Sequence, residues 1–150
     1  MIRFRHVSAA DEPAAGLIAA MVAEIESLYG EAVCRGPSAT ATELGPPGGA
    51  CVVGFEDGHA VCVGGVKDLG GGVCEIKRMY VAPEARGRGH ARALLAALER
   101  AARDLGHRVV RLDTGPSQPH AEALYRSAGY REIADYNGNP AAAYWGERRL

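Results

Sequence analysis

The sequence predicts a mixed α/β fold, in which one sheet carries helices on both faces. Three observations predict it. The stretch Glu75 to Leu98, EIKRMYVAPEARGRGHARALLAAL, passes from an extended run through a glycine-spaced turn into an amphipathic helix. Upstream, the turn signals Asp57-Gly58 and Gly70-Gly71-Gly72 separate runs of strand-forming residues. Finally, 150 residues without repeat, linker or low-complexity tail suit one domain spanning 1–150, long enough to bury a core.

Taken in order, Ile2 to Val7 alternates apolar and basic residues as a half-buried first strand does. Ser8 or Asp11 is placed to cap a helix with Pro13 in its first turn, and Gly30 to stop it. Leu17, Ile18, Met21, Val22, Ile25 and Leu28 give that helix an apolar stripe. Residues 31–49 are rich in Gly, Pro, Ser and Thr and predict a long loop with a short helix over Ala39 to Leu44. Strands Ala50 to Phe55 and Ala60 to Lys67 flank the Asp57-Gly58 hairpin, and the triple glycine leads into the strand that ends Val81-Ala82-Pro83. The long helix carries Leu94, Leu95, Leu98, Ala101, Ala102 and Leu105 on one face, closed by Gly106. A strand from Arg108 to Asp113, a helix from Gln118 or His120 to Ala128, and strands Tyr130 to Ile133 and Ala142 to Arg148 complete the chain.

The corner between the organising strand and the long helix predicts an anion cradle. The first turn of a helix leaves backbone N–H groups unpaired and carries partial positive charge. Gly87 and Gly89 remove side chains that would block an approaching phosphate, Ala91 keeps the next turn small, and Arg86 and Arg88 add charge. No Lys-Ser or Lys-Thr pair follows, as a Walker loop requires, and Arg92 stands where a dinucleotide fingerprint wants a small residue.

What the residues do satisfy is Arg/Gln-x-x-Gly-x-Gly/Ala, met by Arg86, Gly89 and Ala91 after a strand ending Val81-x-Pro83. This resembles the coenzyme A loop of the GNAT superfamily of N-acetyltransferases. A second stretch, Gln118-x-x-Ala121-x-x-Leu124-Tyr125-x-x-x-Gly129-Tyr130, is similar to the family's later motif, with Gln118 where Asn is common. The resemblance spans Cys74 to Tyr130. It implies a GNAT-like, mostly antiparallel twisted sheet of about six or seven strands, in the order β-α-(α)-β-β-β-α-β-α-β-β.

It also implies roles. Acetyl-CoA is the expected co-substrate, held by Arg86, Gly87, Arg88, Gly89, His90, Ala91 and Gln118. Its pantetheine arm is expected to pair with the backbone of Met79, Tyr80 and Val81, where the family has a bulge that splays two strands. A backbone N–H near Tyr80 or Val81 would stabilise charge on the thioester oxygen. An alkyl amine with a pKa of about 10.4 is protonated at pH 7, so attack needs a base, and Glu75 is the candidate. A plain ion pair of Glu75 with Lys77 or Arg78 is the competing reading. Tyr125 matches the tyrosine that donates to the departing thiolate. Glu26, Tyr29, Tyr136 and Asn137 fall in segments expected to border the acceptor, and His90 and His120 are weaker base candidates. Charges at Glu75, Lys77 and Arg78 inside a central strand imply that part of it faces a wet groove.

Composition excludes other classes. A formal charge of −1 argues against a general nucleic-acid surface, and Arg86-Gly-Arg-Gly is a single copy between strand and helix. Cys34, Cys51, Cys62 and Cys74 lack ligand-pair spacing, which predicts buried free thiols and no metal. No signal peptide or bilayer-spanning run is evident, so a cytoplasmic protein without membrane partner is expected. The expected partner is a small-molecule amine or a peptide N-terminus or lysine, with a homodimer left open. The alternative class is a non-catalytic acyl-CoA sensor, disfavoured by retention of both Glu75 and Tyr125.

Overall fold

The computed structural model describes residues 1–30 and 39–150. Seven strands form one sheet: β1 (Ile2–His6), β2 (Ala50–Glu56), β3 (His59–Gly70), β4 (Val73–Val81), β5 (Val109–Thr114), β6 (Arg131–Glu132) and β7 (Tyr144–Arg149). Three helices accompany them: α1 (Ala14–Tyr29), α2 (His90–Asp104) and α3 (Pro119–Ser127). The spatial order is β1-β2-β3-β4-β5-β7-β6, antiparallel throughout except for the parallel β4–β5 pair. Among the described residues no helix is long and apolar enough to cross a membrane.

The sheet separates two apolar layers. On one side, Leu94, Leu95 and Leu98 of α2 pack with Val52, Val66, Val110 and Leu112, all at most 2% exposed except where α3 adds Tyr125. Burying each such leucine contributes about 2 kcal/mol. Gly64 permits the closest approach, since a Cβ there would lie 2.5 Å from a Leu98 methyl. On the other side Met21 of α1 packs with Leu44, Val53, Val63 and Tyr80. The hairpin tip at Asp57 and Gly58 takes φ of 50° and 80°, the two positive values that a tight two-residue turn requires.

Several local expectations are corrected. Neither Ser8 nor Asp11 caps α1 through its side chain; Pro13 occupies the N-cap, and Glu12 Oε2 accepts the Gly16 N–H at 3.1 Å. Leu28 is exposed, because the helix end turns its last apolar position to solvent. The segment Ala39 to Leu44 is a turn, not a helix, closed by reciprocal bonds between Thr40 and Glu43 (3.0 and 3.2 Å). These bonds, with Lys67 3.0 Å away, pull the Glu43 carboxyl down to about 2. Cys51, Cys62 and Cys74 are buried free thiols as expected, and burial raises them to about 11, 11 and 12. Cys34 lies outside the described residues.

Two irregularities in β4 open the sheet. First, β4 pairs with β5 only over Val73–Glu75, against Val109–Arg111. Second, the β3–β4 register slips from Gly65↔Lys77 to Val63↔Tyr80, and Arg78 within the slip has φ +62°. That is a bulge, which bends the strand and re-aims its side chains. Beyond Glu75 the two central strands therefore part.

Candidate active site

The corner after β4 is built by a short 3-10 turn, Pro83–Ala85, and the run Arg86–Gly89. Gly87 and Gly89 take φ of 81° and 80°, which side-chain-bearing residues rarely adopt, and an added Cβ at either meets nothing within 4 Å. The space in front of them is open. Ala93 N–H is the bond that joins α2 to Gly89 (3.2 Å), so the amides just before it face out of the helix end.

The arginines of this corner are braced. Arg86 donates to the Val81 carbonyl (2.9 Å) and to Glu24 of α1 (2.7 Å), with its guanidinium 5.5 Å from the Tyr80 ring centre. Arg88 donates to Glu56 and to the Glu84 carbonyl (3.1 Å). His90 is buried, with Nε2 2.9 Å from Glu56 Oε2 but outside hydrogen-bond alignment. Ala91 is partly buried at the start of α2, and His120 is exposed on α3.

Between the parted strands lies a cleft of about 270 Å³. Its walls include Met21, Ile25, Glu26 and Tyr29 of α1, Ile76–Met79 of β4, Asp113–Gly115, Gln118, Ala121 and Tyr125, with Asn139 and Ala141 from the β6–β7 loop. Tyr125 is 6% exposed and its hydroxyl lies 3.8 Å from Met79 Sδ. Burial first, then the Asp113 charge, raises its phenol well above the usual range, so it stays protonated. Tyr80 is also buried, but it belongs to the α1 side of the sheet.

Tyr29 crosses from α1 to the loop before α3. Its oxygen accepts the Ser117 N–H at 3.0 Å and donates to Gln118 Oε1 at 3.4 Å. Gly115 makes this possible, because a Cβ there would lie 2.2 Å from that oxygen. Gln118 Oε1 also faces Thr114 Oγ1 and the Gly115 N–H, each at 3.4 Å, which turns its carbonyl end toward β5.

One end of the cleft is a polar network. Glu75 is 3% exposed and does not line the cleft. Its Oε2 accepts Tyr136 Oη (2.5 Å) and Asn137 Nδ2 (3.0 Å), and its Oε1 lies 3.5 Å from Lys77 Nζ. Asp113 Oδ2 accepts Asn137 Nδ2 (2.6 Å) and Asn139 Nδ2 (3.3 Å), with Lys77 Nζ at 3.9 Å. Trp145 Nε1 holds Asn137 Oδ1 at 2.9 Å. Burial and the Glu75 charge push the Tyr136 phenol far upward. The wet strand expected from Glu75, Lys77 and Arg78 is thus divided: Lys77 and Arg78 line the cleft, while Glu75 is dry behind them.

The structure brings Glu26, Tyr29, Met79, Gln118 and Tyr125 to one cleft, and Tyr136 and Asn137 to its supporting network. Asp113 and Trp145 were not picked out as candidate site residues from sequence. The available signal for Asp113 was an acid near the C-terminal end of the strand Val109–Thr114, where open α/β sheets place ligands. Tyr144 is 1% exposed, with Arg126 4.8 Å over its ring.

Comparison with known proteins agrees with this architecture. The model of the acetyltransferase (GNAT) family matches residues 18–130. A Schizosaccharomyces pombe protein named as an uncharacterised N-acetyltransferase is 36% identical over 101 residues, 65% of this chain but only 61% of that relative's length. Escherichia coli YjgM, also named as an uncharacterised N-acetyltransferase, is 30% identical over 142 residues, 88% of this chain and 83% of YjgM. A solved Klebsiella pneumoniae structure, described as a proposed acyl-CoA N-acyltransferase, superposes with TM-score 0.81 at 30% identity, over 100% of this chain and 98% of that one. Likeness in sequence and in fold coincide over the same elements, so the protein belongs to the GNAT acetyltransferase family and is an acyltransferase.

Proposed function

We propose that the protein transfers the acetyl group of acetyl-CoA to the primary amine of a small molecule, by direct attack with both substrates bound. The observation that carries this reading is the bare edge of β4. Past Glu75 that edge pairs with no strand among the described residues, and it leads from the cleft wall at Met79 to the open glycine corner at Gly87 and Gly89. An extended ligand with a diphosphate at one end fits both features. Amides at the start of α2 suit the phosphates, and the edge of β4 at Met79, Tyr80 and Val81, which no strand covers on the β5 side among the described residues, suits an amide-bearing arm.

Bound there, acetyl-CoA would supply a thioester whose carbonyl carbon accepts a nitrogen lone pair. The chain's own contribution is positional and protonic. In this reading a backbone N–H near Tyr80 or Val81 donates to developing negative charge. Tyr125 is protonated and lines the cleft, which supports its role as donor to a departing thiolate. As a base Glu75 can act only through Lys77, Tyr136 or Asn137, because these already engage both its oxygens. Arg86, Arg88 and His90 hold the corner in shape, and Gln118 sits at the cleft edge. In this reading Glu26 and Tyr29, which line the cleft, border the acceptor, and the Tyr29 bridge to Ser117 across one wall supports a small acceptor over a peptide.

A mass-spectrometric screen of small amines and of peptides, incubated with acetyl-CoA and read for free thiol and a gained acetyl group, tests this. Acetylation of small amines is the expected result. Modification confined to peptides would replace the acceptor class. A coenzyme A melting shift without any thiol release would make the protein a sensor.

A further inference from the structure

Two carboxylates sit within reach of Lys77, and they differ in what is left over. Both oxygens of Glu75 are engaged, and it is walled off from the cleft. Asp113 lines the cleft, and every bond it makes falls on Oδ2: Asn137 at 2.6 Å, Asn139 at 3.3 Å and Lys77 at 3.9 Å. Its Oδ1 has no hydrogen-bond partner among the described residues, and it is not one of the fully buried unpartnered atoms. A carboxylate pinned by one oxygen and open at the other, on a cleft wall, is arranged to receive a donor.

We infer that Asp113, through Oδ1, anchors the ammonium group of the acceptor and takes its proton. This rests on the acetyl-transfer reading above and names the group that performs its first step. One N–H bond of the ammonium breaks and an O–H bond forms on Asp113. The nitrogen keeps the electron pair, which is then free for attack on the acetyl carbon. The carbon–sulfur pair departs as thiolate, the surplus nitrogen proton passes to sulfur, and the proton on Asp113 returns to solvent. Protons and electrons therefore balance without any further reactant.

Charges facing Asp113 frame this role. Lys77 and Glu75 approach from β4, Tyr125 from α3, Tyr136 from the β6–β7 loop, and Glu26 stands on the α1 wall. Arg111, the residue two before it in β5, is turned to Glu147 (2.9 Å) and to the Tyr136 ring (5.4 Å). Asp113 also raises the proton affinity of Tyr125, so the same carboxylate that accepts a proton keeps the donor phenol neutral. Asn137 and Asn139 are positioning residues, since they fix Oδ2 and leave Oδ1 without a bond among the described residues.

The test compares wild type with Asp113→Asn and Glu75→Gln. The probes are n-butylamine, which is charged at pH 7, and trifluoroethylamine, which is largely neutral there. Without coenzyme, saturating n-butylamine is expected to raise the melting temperature of wild type and not of Asp113→Asn. With acetyl-CoA, Asp113→Asn is expected to lower kcat for n-butylamine by about 100-fold at pH 7. The deficit should shrink toward the amine's own pKa and be small for trifluoroethylamine, while the coenzyme A melting shift is unchanged. Should Asp113→Asn fail to fold, Asp113→Ser carries the same readouts. Retained n-butylamine binding, a wild-type rate at pH 7, or an equal loss at every pH and for both amines overturns the assignment. The same profile appearing in Glu75→Gln alone would move the role there. No coenzyme A shift and no thiol release in wild type would instead remove the acetyl-transfer reading itself.

Discussion

The Tyr136 hydroxyl lies 2.5 Å from Glu75 Oε2, joining the β6–β7 loop to the middle strand of the sheet. The same loop supplies Asn137 and Asn139 to Asp113, so one hydrogen bond to a buried carboxylate helps set the position of a cleft carboxylate. Tyr136→Phe leaves a buried carboxylate short of a donor and is expected to destabilise the fold by about 1–3 kcal/mol. Urea unfolding checks the stability. Turnover should fall as well, and a variant with lost stability but wild-type turnover would separate the loop from the chemistry.

Gly89→Ala is expected to abolish the melting shift given by coenzyme A, which in wild type amounts to about 2.7 kcal/mol at a hundred times Kd. The substitution also forces a side chain into φ +80°, so strain must be subtracted. Gly58→Ala is the matched control: it has the same φ and an equally open surrounding at the β2–β3 hairpin tip. Both should lose similar intrinsic stability, and only the corner variant should lose the ligand shift in differential scanning fluorimetry.

Tyr125→Phe removes a donor inside the cleft while keeping the ring packed 6.0 Å from Tyr130. We expect kcat to fall at least tenfold with little change in the Kd of acetyl-CoA, measured by steady-state kinetics and calorimetry. An unchanged kcat would leave Tyr125 a core residue.

Alkaline pH is expected to unfold the protein through its thiols. Cys51, Cys62 and Cys74 have folded-state pKa values of about 11, 11 and 12, all above the ordinary thiol value of about 8.5. A raised folded pKa means stability that is complete below the unfolded value and lost as pH climbs to the folded one. Between about pH 9 and 11 the unfolded chain sheds protons the native state keeps, costing about 1.4 kcal/mol per thiol per pH unit. Chemical denaturation at pH 8 and 10 measures this slope, and Cys62→Ala should reduce it.

Much of this protein was legible before its fold was known. Glycines at 58, 70–72, 87, 89, 106 and 129 mark turns or element ends, and the leucines of α2 define its buried face. Local backbone chemistry acts within a few residues, so short-range signals suffice for it. The short helix expected at Ala39 to Leu44 failed because two Thr40–Glu43 bonds satisfy a single turn without propagating. Glu75 drew attention by its place in the chain, yet Asp113 holds the open oxygen.

The sequence by itself determined the order of elements, the glycine corner that starts α2 and the residue types available for acyl transfer, because periodicity and turn chemistry are local properties. Only the tertiary structure decided which carboxylate faces the cleft. Glu75 and Lys77 share one face of β4 by strand alternation, but their neighbours come from a bulge at Arg78, the parting of β4 from β5, and a loop sixty residues away. Those relations depend on how distant strands meet, which no local pattern encodes.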